Sequence, residues 1–201
     1  MIDMRIAVYL AHPRPGSFNG ALFGAVVDEL RTHAVEVLAH DLYAEGFDPM
    51  LGAAETETVD STRAGDDLIR RYQDELSELD AMIFVHPNWW GMPPAILTGW
   101  VQRVLTPAVA YKLNDAAGEP IPLLRAERAL VLNTSDTTAD RERDVFGDPL
   151  GQIWASCVLP YIGVKDMRRK VFRTVTDSSE QTRAAWLREA RALAAALATD
   201  G

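Results

Sequence analysis

The chain has 201 residues, 48% of them hydrophobic, with 29 acidic against 20 Lys and Arg residues and a net charge of −9. That apolar content supports a sizeable core, and the acidity argues against nucleic acid and anionic membrane surfaces as primary partners. No apolar run approaches the roughly 20 residues of a membrane span, and a single α/β domain over residues 1–201 is expected. Cys157 is the only cysteine, which excludes an internal disulfide and a cysteine-rich metal site; no metal is expected. Set in the apolar IWASCVLPYIG, it reads as an inert buried thiol.

The N-terminal MIDMRIAVYLAHP lacks the pattern of a signal peptide and predicts a strand over Arg5–Leu10, in a cytoplasmic protein. A helix over Asn19–His33 and a strand over Val35–Ala39 follow, then a helix over Ala64–Ser77 and a strand over Ala81–His86. Further on come a helix over Pro94–Leu105, a strand over Arg128–Asn133, a helix over Arg143–Leu159, a strand over Val164–Thr174 and a helix over Ser178–Ala198. In the last helix Trp186, Ala190, Leu193 and Leu197 recur at helical spacing as a core stripe, and Ser178 or Ser179 can cap its start. Between Thr106 and Glu127 periodicity fails, and Gly118, Pro120 and Pro122 mark a long excursion expected to be functional or an interface.

Apolar strands alternating with periodic helices predict a parallel sheet covered on both faces. Five such strands fit a flavodoxin-like, doubly wound α/β fold of order 2-1-3-4-5, with its ligand beyond the carboxyl ends of strands one, three and four. Three loops fall there. The first, His12-Pro13-Arg14-Pro15-Gly16-Ser17-Phe18-Asn19, joins strand one to helix one. Ser17 and Asn19 can cap the helix, whose free N–H groups make a phosphate site, while His12 and Arg14 add donors; a capped turn with an unligated histidine is the plainer alternative. Neither GxGxxG after strand one nor GxxxxGK[ST] occurs. The second loop, after strand three, carries Pro87, Asn88, Trp89, Trp90, Gly91, Pro93 and Pro94. Its prolines stiffen the backbone, and two tryptophans at that edge make a platform for a flat ligand. The third, Asn133 to Thr138, offers the small polar groups of Thr134 and Ser135 to the edge of a ring; alone it would read as a turn.

HPRPGSFNGAL, DLYAEGFDP at Asp41–Pro49, and PNWWGMPPAILTGWVQRVL followed by Tyr111 resemble the quinone reductases of the NAD(P)H dehydrogenase, DT-diaphorase-like flavoprotein family, over about the first 110 residues in order. The resemblance implies the flavodoxin-like fold, a tightly bound flavin and a homodimer with active sites at the subunit interface. Carried over by motif, His12, Ser17, Phe18 and Asn19 would bind the flavin phosphate and ribityl chain. Pro87, Asn88, Trp89 and Trp90 would line the ring, and Tyr111 would reach the substrate pocket from the partner subunit; Gly91 and, from the reading of the third loop, Thr134 and Ser135 are expected beside the same ring. The cofactor expected is FMN, with FAD as the alternative, and NADH or NADPH would reduce it.

After strand four the chain departs from the family. Relatives carry Thr-Thr-Gly-Gly with a nearby tyrosine and histidine that assist proton transfer, whereas here Asn133-Thr134-Ser135-Asp136 stands in that place and the next tyrosine is Tyr161. Asp136 and Tyr111 are the remaining candidates for catalysis. A carboxylate beside a reduced flavin would repel it, so Asp136 points away or is neutralised by Arg141 or Arg143. Trp100 is expected in the core, and Arg103 as an anchor for its helix or for an interface. The expected activity is hydride transfer from NAD(P)H through flavin to a quinone or similar electrophile. A flavodoxin-type electron carrier and a regulatory flavoprotein subunit of a membrane transporter are the competing readings.

Overall fold

The computed structural model describes residues 4–56, 66–113 and 119–199. Five parallel strands form its sheet: β1 (Met4–Leu10), β2 (Val35–Asp41), β3 (Ala81–Pro87), β6 (Arg128–Ser135) and β7 (Asp166–Arg173), in the order β2-β1-β3-β6-β7. This is the expected 2-1-3-4-5 sheet, its register running Ile6 to Ala81, Ala81 to Arg128 and Arg128 to Asp166.

The strand sequences read as unbroken apolar runs because both faces are covered. Successive side chains alternate sides. Ala7, Tyr9, Met82, Phe84, Ala129 and Val131 point to one layer, with α2 (Asp67–Leu76) and α3 (Ala95–Val104). Ile6, Val8, Ile83, Val85, Leu130 and Leu132 point to the other, under α1 (Phe18–Leu30) and α7 (Glu180–Thr199). Trp100 is fully buried, 4.5 Å ring to ring from Tyr9. In α7 Ala190 and Leu197 are buried and Trp186 and Leu193 pack beside them, as their spacing predicts, and Ser179 Oγ accepts from Thr182 N–H at 3.1 Å. Ala64 and Gly65, where the second predicted helix would begin, lie outside the described residues.

Arg103 is an anchor. It is buried, with Nε donating to Glu55 Oε1 at 2.8 Å and Nη1 to the Asp48 carbonyl at 2.6 Å, so α3 holds the segment that follows β2. Gly99 explains how that segment comes so close: a Cβ there would collide with the Pro49 backbone. Gly99→Ala improves helix propensity by about 1 kcal/mol, but backbone cannot yield as a side-chain tip can. A net loss of about 1–3 kcal/mol in urea unfolding is expected; an unchanged midpoint would refute the close approach.

Three expectations are corrected. The excursion after Leu105 contains a two-stranded antiparallel hairpin, β4 (Tyr111–Leu113) with β5 (Pro120–Pro122), where prolines are tolerated because the strands are edges. The helix predicted over Arg143–Leu159 is broken. α4 (Ala139–Arg141) passes into a π-helical turn (Glu142–Phe146), which Gly147 ends at φ 71°. Asp148 then caps α5 (Pro149–Gln152), and a second π-helical turn (Ile153–Val158) leads into α6 (Leu159–Tyr161). Cys157 is exposed rather than buried: Trp154, Val158 and Leu159 carry the core contact here, and Ala155, Ser156 and Cys157 face out.

Candidate functional site

At the carboxyl edge of the sheet lies a cavity of about 700 Å³, built from all three loops. β1 runs into the first of them. Ser17 has the extended backbone of a cap, and its Oγ accepts from Gly20 N–H at 3.0 Å. The N–H groups of Phe18 and Asn19, in the first helical turn, have no intrahelical acceptor, so this end of α1 is electropositive. Asn19 is not a cap. Its Nδ2 donates to Thr134 Oγ1 at 2.9 Å, reaching the end of β6, and its buried Oδ1 has no partner among the described residues. The Thr134 hydroxyl can donate or accept, so reversing the amide would only exchange which atom is left over. An orphaned amide atom in this wall fits a hydroxyl or phosphate of a ligand.

Phe18 lies between the cavity and the core, its ring 5.7 Å from Trp186. His12 Nδ1 accepts from Arg14 N–H at 3.1 Å, which leaves the proton of the neutral ring on Nε2. Burial, with the Arg14 charge assisting, holds its pKa below the usual value. Neutral His12 and cationic Arg14 both line the cavity beside the helix end.

The tryptophan loop is a tight reversal. Trp89 and Met92 exchange backbone hydrogen bonds of 3.1 and 3.0 Å, and between them Trp90 and Gly91 have φ of 58° and 76°. Two positive φ values in succession make a type I′ turn. Glycine takes that conformation freely; tryptophan does so only under constraint. Gly91 is required twice, since a Cβ would also lie 2.5 Å from Pro149 Cγ. Trp89 is 40% exposed and Trp90 96% exposed, both on the cavity wall, and the Trp89 ring stands 5.9 Å from His12. Asn88 N–H donates to the Thr134 carbonyl at 2.7 Å and its Oδ1 accepts from Gly91 N–H at 2.9 Å, tying the second loop to the third.

In the third loop Thr134 and Ser135 are buried at the end of β6 and line the cavity. Asp136 is held by Thr176, accepting from its N–H at 2.8 Å and from its hydroxyl at 2.9 Å. Neither Arg141 nor Arg143 neutralises it: Arg143 pairs with Asp140 and Asp144, and Arg141 lies over the Phe146 ring. Tyr111 is not among the lining residues; it packs edge-on against Tyr161 at 4.7 Å.

Sequence reasoning missed Glu142, Phe146, Pro149, Val175 and Thr176, which complete the wall. Glu142 is 2% exposed, with Oε1 accepting from Asn88 Nδ2 at 2.7 Å and Oε2 paired with Arg173. The signal available was the stretch FGDP, whose glycine and capped proline end a helix and turn the chain back. Below the Pro87 wall, His86 is fully buried, its Nε2 accepting from Trp154 Nε1–H at 3.1 Å and its Nδ1–H donating to the Pro87 carbonyl at 2.8 Å.

The sheet order and an anion-favouring, aromatic-walled cavity at its switch point define a flavodoxin-like protein. The chain belongs to the flavodoxin-like fold family, whose model matches residues 4–194. Among individual proteins, the ribosyldihydronicotinamide dehydrogenase (quinone) of Pongo abelii is 30% identical, covering 92% of this chain and 90% of its own length. The structure of an NAD(P)H:quinone oxidoreductase from Methanothermobacter marburgensis superposes with a TM-score of 0.83 at 25% identity, over 98% of this chain and 99% of that one. An FMN-dependent NADH-azoreductase from Bacillus anthracis, solved in complex with FMN, shares the fold at a TM-score of 0.78 and 12% identity, over 98% of this chain and 100% of its own.

Proposed function

We propose that the chain is a flavin-dependent NAD(P)H oxidoreductase that reduces a quinone or a similar small electrophile, with FMN as its flavin. The observation that carries this reading is the division of the cavity: an electropositive helix end with an orphaned Asn19 atom on one side, a tryptophan wall on the other, and small polar groups after β6. A phosphorylated, flat, polar-edged molecule matches all three. The relatives named above act on quinones or azo compounds, and one holds FMN.

The chemistry a bound flavin supplies is hydride acceptance from NAD(P)H and delivery to the acceptor. In this reading Ser17, His12, Arg14 and the first N–H groups of α1 hold the phosphate, Phe18 and Asn19 the chain next to it, and Pro87, Asn88, Trp89, Trp90 and Gly91 with Thr134 and Ser135 the ring. No nucleophile is needed: the protein orients two flat molecules and excludes water between them. Asp136 acts on the wall, by fixing the Val175–Thr176 segment, and not on a reacting atom.

The chain works as one domain and as a homodimer in the cytoplasm, where NAD(P)H is supplied. Trp90 at 96% exposure and Met92 at 54% support a second copy at the mouth of the cavity. Tyr111, outside its own cavity, is then available to the partner's. Anaerobic addition of NADH or NADPH should bleach the flavin's long-wavelength absorbance, and a quinone should restore it. A bound cofactor whose mass matches no flavin, or a flavin that neither nucleotide bleaches, would overturn the reading; the latter result would favour a one-electron carrier.

A further inference from the structure

We infer that Glu142 is a positioning residue that sets the tryptophan turn through Asn88 and keeps Arg173 charge-balanced at the cavity wall. Its effect on the ligand rests on the flavin reading above; its effect on the turn does not.

A buried carboxylate can only accept hydrogen bonds. Glu142 Oε1 faces Asn88 at 2.7 Å, so the Asn88 atom turned toward it must be the Nδ2 donor. That leaves Oδ1 to meet Gly91 N–H at 2.9 Å, the bond that closes the loop beneath Trp90. An amide with no acceptor at Glu142 could turn over, presenting NH₂ to the N–H of Gly91 and losing that bond. The strained φ of 58° at Trp90 then has one fewer constraint.

The other oxygen is committed to Arg173 from the end of β7, whose Nη1 also donates to the Thr137 carbonyl at 3.2 Å. Glu142 thus joins the segments after β3, after β6 and after β7. The π-helical turn over Glu142–Phe146 carries it there, and its carbonyl accepts from Asp148 N–H at 3.1 Å where the turn ends. Such turns interrupt α-helical register and commonly serve sites. Electrostatically the pair is neutral. Without Glu142, the Arg173 cation behind this wall would keep only the weaker attraction of Asp148 and would favour any added negative charge in the cavity, including that gained by a flavin on reduction.

The test uses Glu142→Ala, Glu142→Gln and Asn88→Ala. In ligand-free protein, amide hydrogen exchange over Trp89–Met92 should accelerate by about tenfold in Glu142→Ala and Asn88→Ala, and no further when the two are combined. With FMN as the probe, Glu142→Ala should bind about tenfold more weakly. Glu142→Gln keeps an oxygen for Asn88, so its affinity should stay within about threefold of wild type while the bound flavin's midpoint potential rises. Unchanged exchange in Glu142→Ala, additive exchange in the double variant, or an unchanged potential in Glu142→Gln would overturn the assignment. Should Glu142→Ala fail to fold, Asn88→Ala and Glu142→Gln decide by the same criteria. Wild-type protein that binds no FMN would remove the flavin reading, and the exchange measurement would still decide the role of Glu142 in the turn.

Discussion

Replacing Ser17 and Asn19 together with alanine is expected to weaken FMN binding by about a hundredfold while the protein still unfolds cooperatively. Two terms have to be separated. Losing the Ser17 cap on Gly20 N–H costs about 0.5–2 kcal/mol of stability, and losing the Asn19–Thr134 hydrogen bond about 1 kcal/mol. A domain stable by about 5–15 kcal/mol survives both. Toward a ligand phosphate the Ser17 hydroxyl still has its proton to donate, because the cap uses only a lone pair. Asn19 contributes the atom that has no partner among the described residues. Hydrogen bonds to a charged group are worth about 1.5–3 kcal/mol each, and every 1.4 kcal/mol is tenfold in affinity. Flavin fluorescence titration measures the first term and thermal unfolding the second. A variant that unfolds would make the loop a capped turn and nothing more; one that folds and binds normally would take the phosphate away from α1.

The asymmetry between these terms explains what the sequence disclosed. Strand cores such as AMIFVH and RALVLN were legible because burial on both faces favours apolar residues throughout, and the observed strands extend those predictions by one or two residues at their carboxyl ends. The cavity residues on β1, β3 and β6 were legible because sheet order places them: once the topology is known, the loops that meet are known. Glu142, Val175 and Thr176 were not, because the first reaches the cavity through a π-helical turn and the other two follow a left-handed residue, Thr174 at φ 55°. Local periodicity carries no sign of such a change of direction; a composition like RERDVF reads equally well as a solvated helix face. Asp136 illustrates the same limit. Its neighbours in sequence offered two arginines, yet its partner is Thr176, forty residues away and brought close by β7. Asn19 went the other way, since its fitness as a cap was readable but its use as a bridge to Thr134 depended on the third dimension.

His86 should make the protein acid-sensitive in a defined window. The ring is fully buried beside Trp154, and desolvation, aided by the Arg169 charge and only partly opposed by the hydrogen bond to the Pro87 carbonyl, lowers its pKa to about 4. Trp154 Nε1 can only donate, so His86 Nε2 must accept; a proton added there would set two donors against each other and leave a charge among aromatic rings. Between pH 6.5 and 4 the unfolded chain binds this proton and the folded one does not, so stability is complete above about pH 6.5 and is lost as pH falls toward 4. At 1.36 kcal/mol per pKa unit the loss is about 3 kcal/mol. His40 acts with the opposite sign. Burial alone would lower its pKa, but the Glu45 and Glu75 carboxylates, which accept from the protonated ring, outweigh that and raise it, so its contribution is full below pH 6.5 and is lost as pH rises through the folded value. The acid limb therefore belongs chiefly to His86, with a smaller contribution of the same sign from His12, until the carboxylates titrate, Glu45 and Asp148 both below their usual values through their partners despite burial. His86→Gln places an amide oxygen where Nε2 accepts and removes the titration. Urea unfolding from pH 7 to 4.5 should then show a steep decline for wild type and a shallow one for the variant, whereas equal declines would assign the acid limb to other groups.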